Sequence, residues 1–375
     1  MNARPAIVAL LLLGCATTNL PPATSPALQL EDDERNLWRQ AEEAQQRFEA
    51  GGILYVDAAL ESYLEDVARR LVPPSVWAAI PFRIRVVRNP FLNAFAMPNG
   101  RIYLHTGMLA RMDNEAQLAT VLAHEMTHAT HRHAVREFRN LQNNAAFALG
   151  LNSILPGIGS MAGLSGVRGY SREMETEADE QGFRRVADAG YDVHETTTLF
   201  AHLKQQLTEE KKTEPFFFGT HPALDARIEN YRKLIEARDV ARPRGFTNAE
   251  AFLARTRDVV YENALLDLRA GRFVAAERGA RKYAALEPSA ARGPFLLGEV
   301  CRQRAEDDRG EAALAEYHRA TTLDPSYPEP YRAIGLVLYK RGDKAAAREA
   351  FERYLSLAPQ AKDRAYVEQY IGSSR

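Results

Sequence analysis

The chain has 375 residues, of which 46% are hydrophobic, 26% charged and 9% aromatic; this excludes a globally disordered or fibrous protein and leaves room for two or three packed domains. Forty-eight basic residues against 49 acidic ones leave a formal net charge of −1, so no field of the whole molecule favours nucleic acid or an anionic surface. Two cysteines exclude a disulfide-rich scaffold and a thiolate zinc cage.

The N-terminus reads as a processing signal. Arg4 precedes an apolar run over residues 6–13, too short for a bilayer span of about twenty residues but suited to a secretory signal. The run ends Leu12-Leu13-Gly14-Cys15, which resembles the lipobox of bacterial lipoproteins. That resemblance implies removal of residues 1–14, lipidation of Cys15 and a membrane anchor; Ala16, in place of Asp, implies sorting to the outer membrane. Residues 15–34 then read as a flexible tether. With Cys15 acylated, Cys301 has no cysteine left to pair with.

Apolar residues at helical spacing over 35–72, interrupted at Gly51-Gly52, predict two helices. Phe82, Ile84 and Val86 alternate with Arg83 and Arg85, a strand. Residues 93–104 predict a strand pair about Pro98-Asn99-Gly100. Asn114 can cap a long helix expected to run to about Asn140. Residues 145–167 carry no charge but are interrupted by glycines and Pro156, which reads as an apolar loop or lid rather than a membrane span. Further helices are expected from Ser171 through Gly190, from His194 to Lys212 and from near Pro222.

Beyond Val259 the chain becomes repetitive. Leu286-Glu287-Pro288, Leu323-Asp324-Pro325 and Leu357-Ala358-Pro359 recur at 37 and then 34 residues. Tyr331, Gly335, Ala347, Phe351 and Pro359 stand at the offsets of the tetratricopeptide (TPR) consensus. Three stacked helix pairs, closed by a helix from about Ala361, account for the period.

The chemistry centres on His124-Glu125-Met126-Thr127-His128, an HExxH pattern. Residues i and i+4 share one helix face, so both imidazoles can reach one metal ion. Glu125 is rotated about 100° from His124 and can act as base toward water whose pKa a zinc ion lowers toward 7. A third ligand is needed. On a straight helix His131 falls about 10 Å further along the axis, and His133 points elsewhere, so both read as structural or as supports. Glu173, Glu175 and Glu177 remain open candidates on the residues alone.

At Ser171-Arg172-Glu173-Met174-Glu175-Thr176-Glu177-Ala178-Asp179 the chain resembles the zinc metallopeptidases of the HtpX and CAAX-prenyl-endopeptidase family, which pair HExxH with a downstream ExxxD. The resemblance implies Glu175 as third ligand and Asp179 as hydrogen-bond partner of a ligand histidine. Asn93-Ala94-Phe95-Ala96, with Pro98 and Gly100, is similar to the family's strand before the active helix; an exposed edge there could take substrate by strand addition. Thr220-His221-Pro222 followed by Arg227 resembles the family's His-Pro segment. It implies His221 either as an oxyanion stabiliser or as a fourth zinc ligand that closes the site, with Arg227 as an alternative oxyanion donor.

The combination with TPR repeats resembles the periplasmic β-barrel-assembly-enhancing proteases. The expectation is an α+β zincin-like metallopeptidase domain over 35–245, holding one Zn2+ per chain, followed by an all-α TPR superhelix over 257–375. Protein substrates, outer-membrane proteins or their assembly machinery would be its partners, reached through the TPR domain, with a membrane lipid anchor and no nucleic acid. The competing expectation is a TPR adaptor with little proteolysis.

Overall fold

Helices dominate the computed structural model, which describes residues 20–23, 29–143, 170–210, 224–238, 244–304 and 310–373. Cys15, His221 and the uncharged segment 145–167 lie outside these residues. No helix among the described residues is long and apolar enough to cross a membrane.

The first unit surrounds a three-stranded sheet. Helices α1 (Asp32–Ala50), α2 (Ala58–Arg70) and α3 (Pro74–Ala79) precede β1 (Arg83–Val87), β2 (Ala94–Ala96) and β3 (Arg101–His105). The strand order is β1-β3-β2, with β1 parallel and β2 antiparallel to β3. Alternation decides the faces: Ala94, Ala96, Ile102 and Leu104 enter the main core, while Phe95 and Tyr103 turn to α1 and stack at 5.1 Å beside Phe48. Helices α4 (Thr106–Arg111) and α5 (Glu115–Thr130) follow, then α6 (His133–Asn143), α7 (Arg172–Asp188), α8 (His194–Glu210) and α9 (Leu224–Ala237). The Asn114 side chain caps α5 by accepting from Gln117 N at 3.0 Å, and Ser171 caps α7 from Met174 N at 3.3 Å.

One expected helix is two. Residues 114–140 break after Thr130 because Arg132 takes a left-handed backbone, φ 57°, and α6 restarts in a new direction at His133. The expected tether over 15–34 also differs. Leu20 and Ala23 are buried, the Ala23 amide donates to Thr130 O at 2.7 Å, and α1 already begins at Asp32. Arg139 of α6, 1% exposed, bonds Glu31 at 2.8 Å and Asp33 at 2.7 Å, while Arg132 pairs with Glu34. These ion pairs tie the segment to the turn where α5 ends.

Helices α10 (Ala249–Arg269) through α16 form the repeat array: α11 (Phe273–Leu286), α12 (Arg292–Arg304), α13 (Glu311–Leu323), α14 (Pro328–Arg341), α15 (Lys344–Leu357) and α16 (Arg364–Gly372). Pairing runs α10/α11, α12/α13 and α14/α15, with α16 closing against α15. At the tightest approaches a Cβ on Gly298 would sit 2.4 Å from the Tyr317 ring, and one on Gly335 2.5 Å from Phe351. Small residues facing aromatics are therefore a steric requirement. Helix α10 spans the expected boundary, placing Phe252 and Val259 in the first core and Ala264 and Leu268 in the repeat core.

Candidate active site

Helix α5 is buried along its whole length, from Glu115 to Thr130, because the sheet and α7 enclose its apolar residues. Against it α7 presents Glu175, Asp179 and Gly182, spaced i, i+4, i+7 on one face. A Cβ at Gly182 would come within 3.2 Å of His124 N. This crossing carries the two carboxylates onto the HExxH helix, and Gly182 is the sequence signal for it.

His124 Nε2 and His128 Nε2 lie 3.0 Å apart, and each is 3.6 Å from a Glu175 carboxylate oxygen. Among the described residues these three alone form a group able to hold a metal ion, and all are buried. Tetrahedral ligands at about 2.0–2.1 Å from zinc are about 3.3 Å from one another, so the set and its spacing fit three ligands of a zinc ion. Glu125, also buried, follows His124 on the same helix. Of the three candidate glutamates, Glu175 is the one at the site: Glu177 turns to His133 and Arg136, and Glu173 is exposed.

The far nitrogen of each imidazole is held differently. His124 Nδ1 is 3.0 Å from Asp179 Oδ1, which also accepts from Arg227 Nη2 at 2.6 Å and from the Tyr231 hydroxyl at 2.8 Å. Burial pushes the Asp179 carboxyl up, but the Arg227 charge and the hydrogen bonds from His124 and Arg227 outweigh it and hold the group well below its ordinary value. His124 thus keeps its proton on Nδ1 and turns the Nε2 lone pair to the metal position. Arg227 was expected at the oxyanion. Instead its guanidinium lies behind His124, 3.0 Å from Nδ1, and stacks 4.4 Å over Phe200; its described contacts make it a support for Asp179.

His128 rests on a relay that the straight-helix reading could not find. Its Nδ1 is 2.9 Å from Nδ1 of His133, whose Nε2 is 3.2 Å from Glu177, itself bonded by Arg136 at 2.7 Å. With Nε2 of His128 facing the metal position, its Nδ1–H donates to His133, which passes its own Nε2–H to Glu177. Burial pushes His133 down to about 4, which keeps it neutral as this pattern requires. The break at Arg132 brings His133 under His128. His131, bonded to Thr130 Oγ1 at 3.1 Å, takes no part. The Tyr170 ring, also unforeseen, lies flat on His128 at 4.1 Å.

The strand β2 is an edge: its second side pairs with no strand among the described residues. His105 N donates to Asn93 O at 3.0 Å and Met97 N to Arg101 O at 2.7 Å. In this register the backbone groups of Asn93, Phe95 and Met97 face β3, while those of Ala94 and Ala96 face outward. Of the three expected substrate-binding residues, Ala94 therefore offers the open edge; Asn93 and Phe95 hold the strand from within.

Residues 58–235 match Peptidase family M48, and residues 304–372 match the tetratricopeptide repeat. A beta-barrel assembly-enhancing protease of Yersinia pestis is 33% identical over 197 residues, 49% of this chain and 40% of that protein. That of Escherichia coli O157:H7 is 30% identical over 190 residues, 47% and 39% of the two chains. The mitochondrial metalloendopeptidase OMA1 of Schizosaccharomyces pombe is 28% identical over 191 residues, 48% and 54%. The chain spans about half the length, or less, of these relatives.

Proposed function

We propose that this chain, which joins a Peptidase family M48 domain to tetratricopeptide repeats, is a zinc-dependent endopeptidase of the bacterial cell envelope holding one zinc ion per chain. The observation that carries the reading is the convergence of His124, His128 and Glu175 in a buried cluster with Glu125 beside them. Zinc bound there would polarise a peptide carbonyl and lower the pKa of the attacking water. Glu125 takes the proton from that water and returns it to the leaving amine. Asp179 with Arg227, and His133 with Glu177, keep the two imidazoles aimed. An extended substrate lies along β2, bonding the outward backbone of Ala94 and Ala96, which favours unfolded chains over a specific sequence.

Lipidation of Cys15 anchors the protein to the outer membrane on its periplasmic side. Substrates are misfolded or stalled envelope proteins, and the TPR array docks them or the outer-membrane assembly machinery; the names of the bacterial relatives support this choice. His221 acts as a fourth ligand that restrains the resting enzyme, so His221→Ala raises basal cleavage at equal zinc occupancy; a fall of roughly tenfold to a thousandfold would assign it to the oxyanion instead.

The deciding experiment pairs metal analysis with cleavage of unfolded casein. Glu125→Gln keeps about one zinc per chain and loses hydrolysis, whereas His124→Ala, His128→Ala and Glu175→Ala lose zinc. Loss of zinc from a folded Glu125→Gln protein, or full zinc in Glu175→Ala, would refute the assignment.

A further inference from the structure

We infer that the first hairpin of the repeat array belongs to the peptidase's substrate-binding machinery: Arg272, at the start of α11, holds the loop at Pro90 and Phe91 from which β2 begins, and so positions the edge that receives substrate. This rests on the strand-addition reading of β2.

The loop between β1 and β2 is gripped from the peptidase side. Gly107 N donates to Asn89 O at 2.9 Å, Arg111 Nη1 to Pro90 O at 2.9 Å, and His105 Nδ1 lies 3.2 Å from Phe91 O. Contact is so close that a Cβ on Gly107 would fall 2.2 Å from Pro90 O. From the other side comes Arg272. Its Nη1 donates to the same Pro90 O at 3.3 Å, and its guanidinium carbon sits 4.7 Å over the Phe91 ring. Asp267 of α10 lies between the two units, its carboxylate 3.4 Å from Arg272 Nε and 4.0 Å from Arg111 Nη2, with Asn263 bonded to it at 2.9 Å. Arg111, Asp267 and Arg272 are all buried.

Apolar contacts of Ala110, Val260 and Tyr283 already seal this junction. A desolvated arginine adds little net stability to such a seal, but it holds its partners in one geometry. The partners here are a carbonyl and a ring, three and two residues before Asn93, whose oxygen takes the last rung of the β2–β3 ladder. Any shift of Phe91 moves the outward groups of Ala94 and Ala96, which take the substrate backbone, and so weakens its binding along the edge. Arg272 is thus a positioning residue that makes the substrate edge depend on where the array sits.

The test uses the full chain with Arg272→Met, which keeps the apolar stem. Amide hydrogen exchange over residues 91–96 is read beside KM and kcat for casein. Exchange there rises about tenfold with α5 unchanged, KM rises roughly three- to tenfold, kcat stays within about twofold and zinc content holds; Arg272→Lys recovers part of the KM. Unchanged exchange over 91–96 overturns the inference. Faster exchange with unchanged KM also overturns it, and Ala96→Pro, which removes an outward amide, then separates the two readings: a raised KM leaves strand addition standing, an unchanged one removes it too. Should Arg272→Met fail to fold, Phe91→Ala deletes the face under the guanidinium and carries the same outcomes.

Discussion

The Nδ1 atoms of His128 and His133 lie 2.9 Å apart, so one imidazole of the candidate metal cluster leans on another imidazole, while its neighbour His124 leans on the Asp179 carboxylate 3.0 Å away. The two supports differ in kind. Asp179 brings a full charge, balanced by buried Arg227; His133 brings a neutral acceptor whose other nitrogen is tied to Glu177. Each turns the Nε2 of its histidine toward Glu175, 3.6 Å away.

His133→Ala should therefore weaken zinc binding by about tenfold to a hundredfold, the usual cost of losing a partner behind a ligand histidine. His133→Phe fills the space but offers no acceptor and should weaken it similarly. Competition with a chelator reads the affinity without reference to activity. Wild-type affinity in His133→Phe would reduce the residue to packing.

Arg227→Gln removes the cation from a buried pair and leaves Asp179 without its main counter-charge, at a cost of about 3–5 kcal/mol in stability. Denaturant unfolding should show that loss together with weakened zinc binding. A variant with wild-type stability and full zinc, but turnover lowered about a hundredfold, would return Arg227 to the oxyanion.

Stability should fall as pH drops from 7 to 5. Burial pushes His105 down to about 4 from an ordinary 6.5, with its bond to the Phe91 carbonyl opposing. Below pH 6.5 the unfolded chain takes up a proton that the folded chain refuses, so stability present above that pH is lost progressively toward pH 4. For His105, buried at 6% exposure, the loss between pH 7 and 5 is on the order of 2 kcal/mol. Burial pushes His133 down to about 4 as well, so His105→Asn should lessen rather than abolish the dependence measured by thermal melts; an unaltered slope would show that His105 contributes nothing to it.

Cys15→Ala should release the protein from the membrane fraction or leave it unprocessed. A cleaved Cys15→Ala protein that still requires detergent would shift the anchor to another segment, with the uncharged residues 145–167 the first to test.

Local pattern carried much of this molecule. Helical spacing, the Asn114 and Ser171 caps, the alternation in β1 and the recurring Leu-x-Pro repeats each depend on residues a few positions apart, where periodicity and backbone chemistry decide the outcome. HExxH is legible for the same reason, since i and i+4 share a face on any helix. Glu175 needed the family resemblance, because no local rule separates it from Glu173 and Glu177; the close crossing at Gly182 makes the choice in space. His133 reads from sequence as structural or as a support, but which histidine it supports is decided by a single left-handed residue, Arg132, which turns it under His128. The supports of Arg227, the Tyr170 stack, the ion pairs of Arg139 and the reach of Arg272 to Pro90 all join segments far apart in the chain. Which distant polar groups meet is settled by burial, because a desolvated charge or imidazole must take whatever partner the packed core brings within reach.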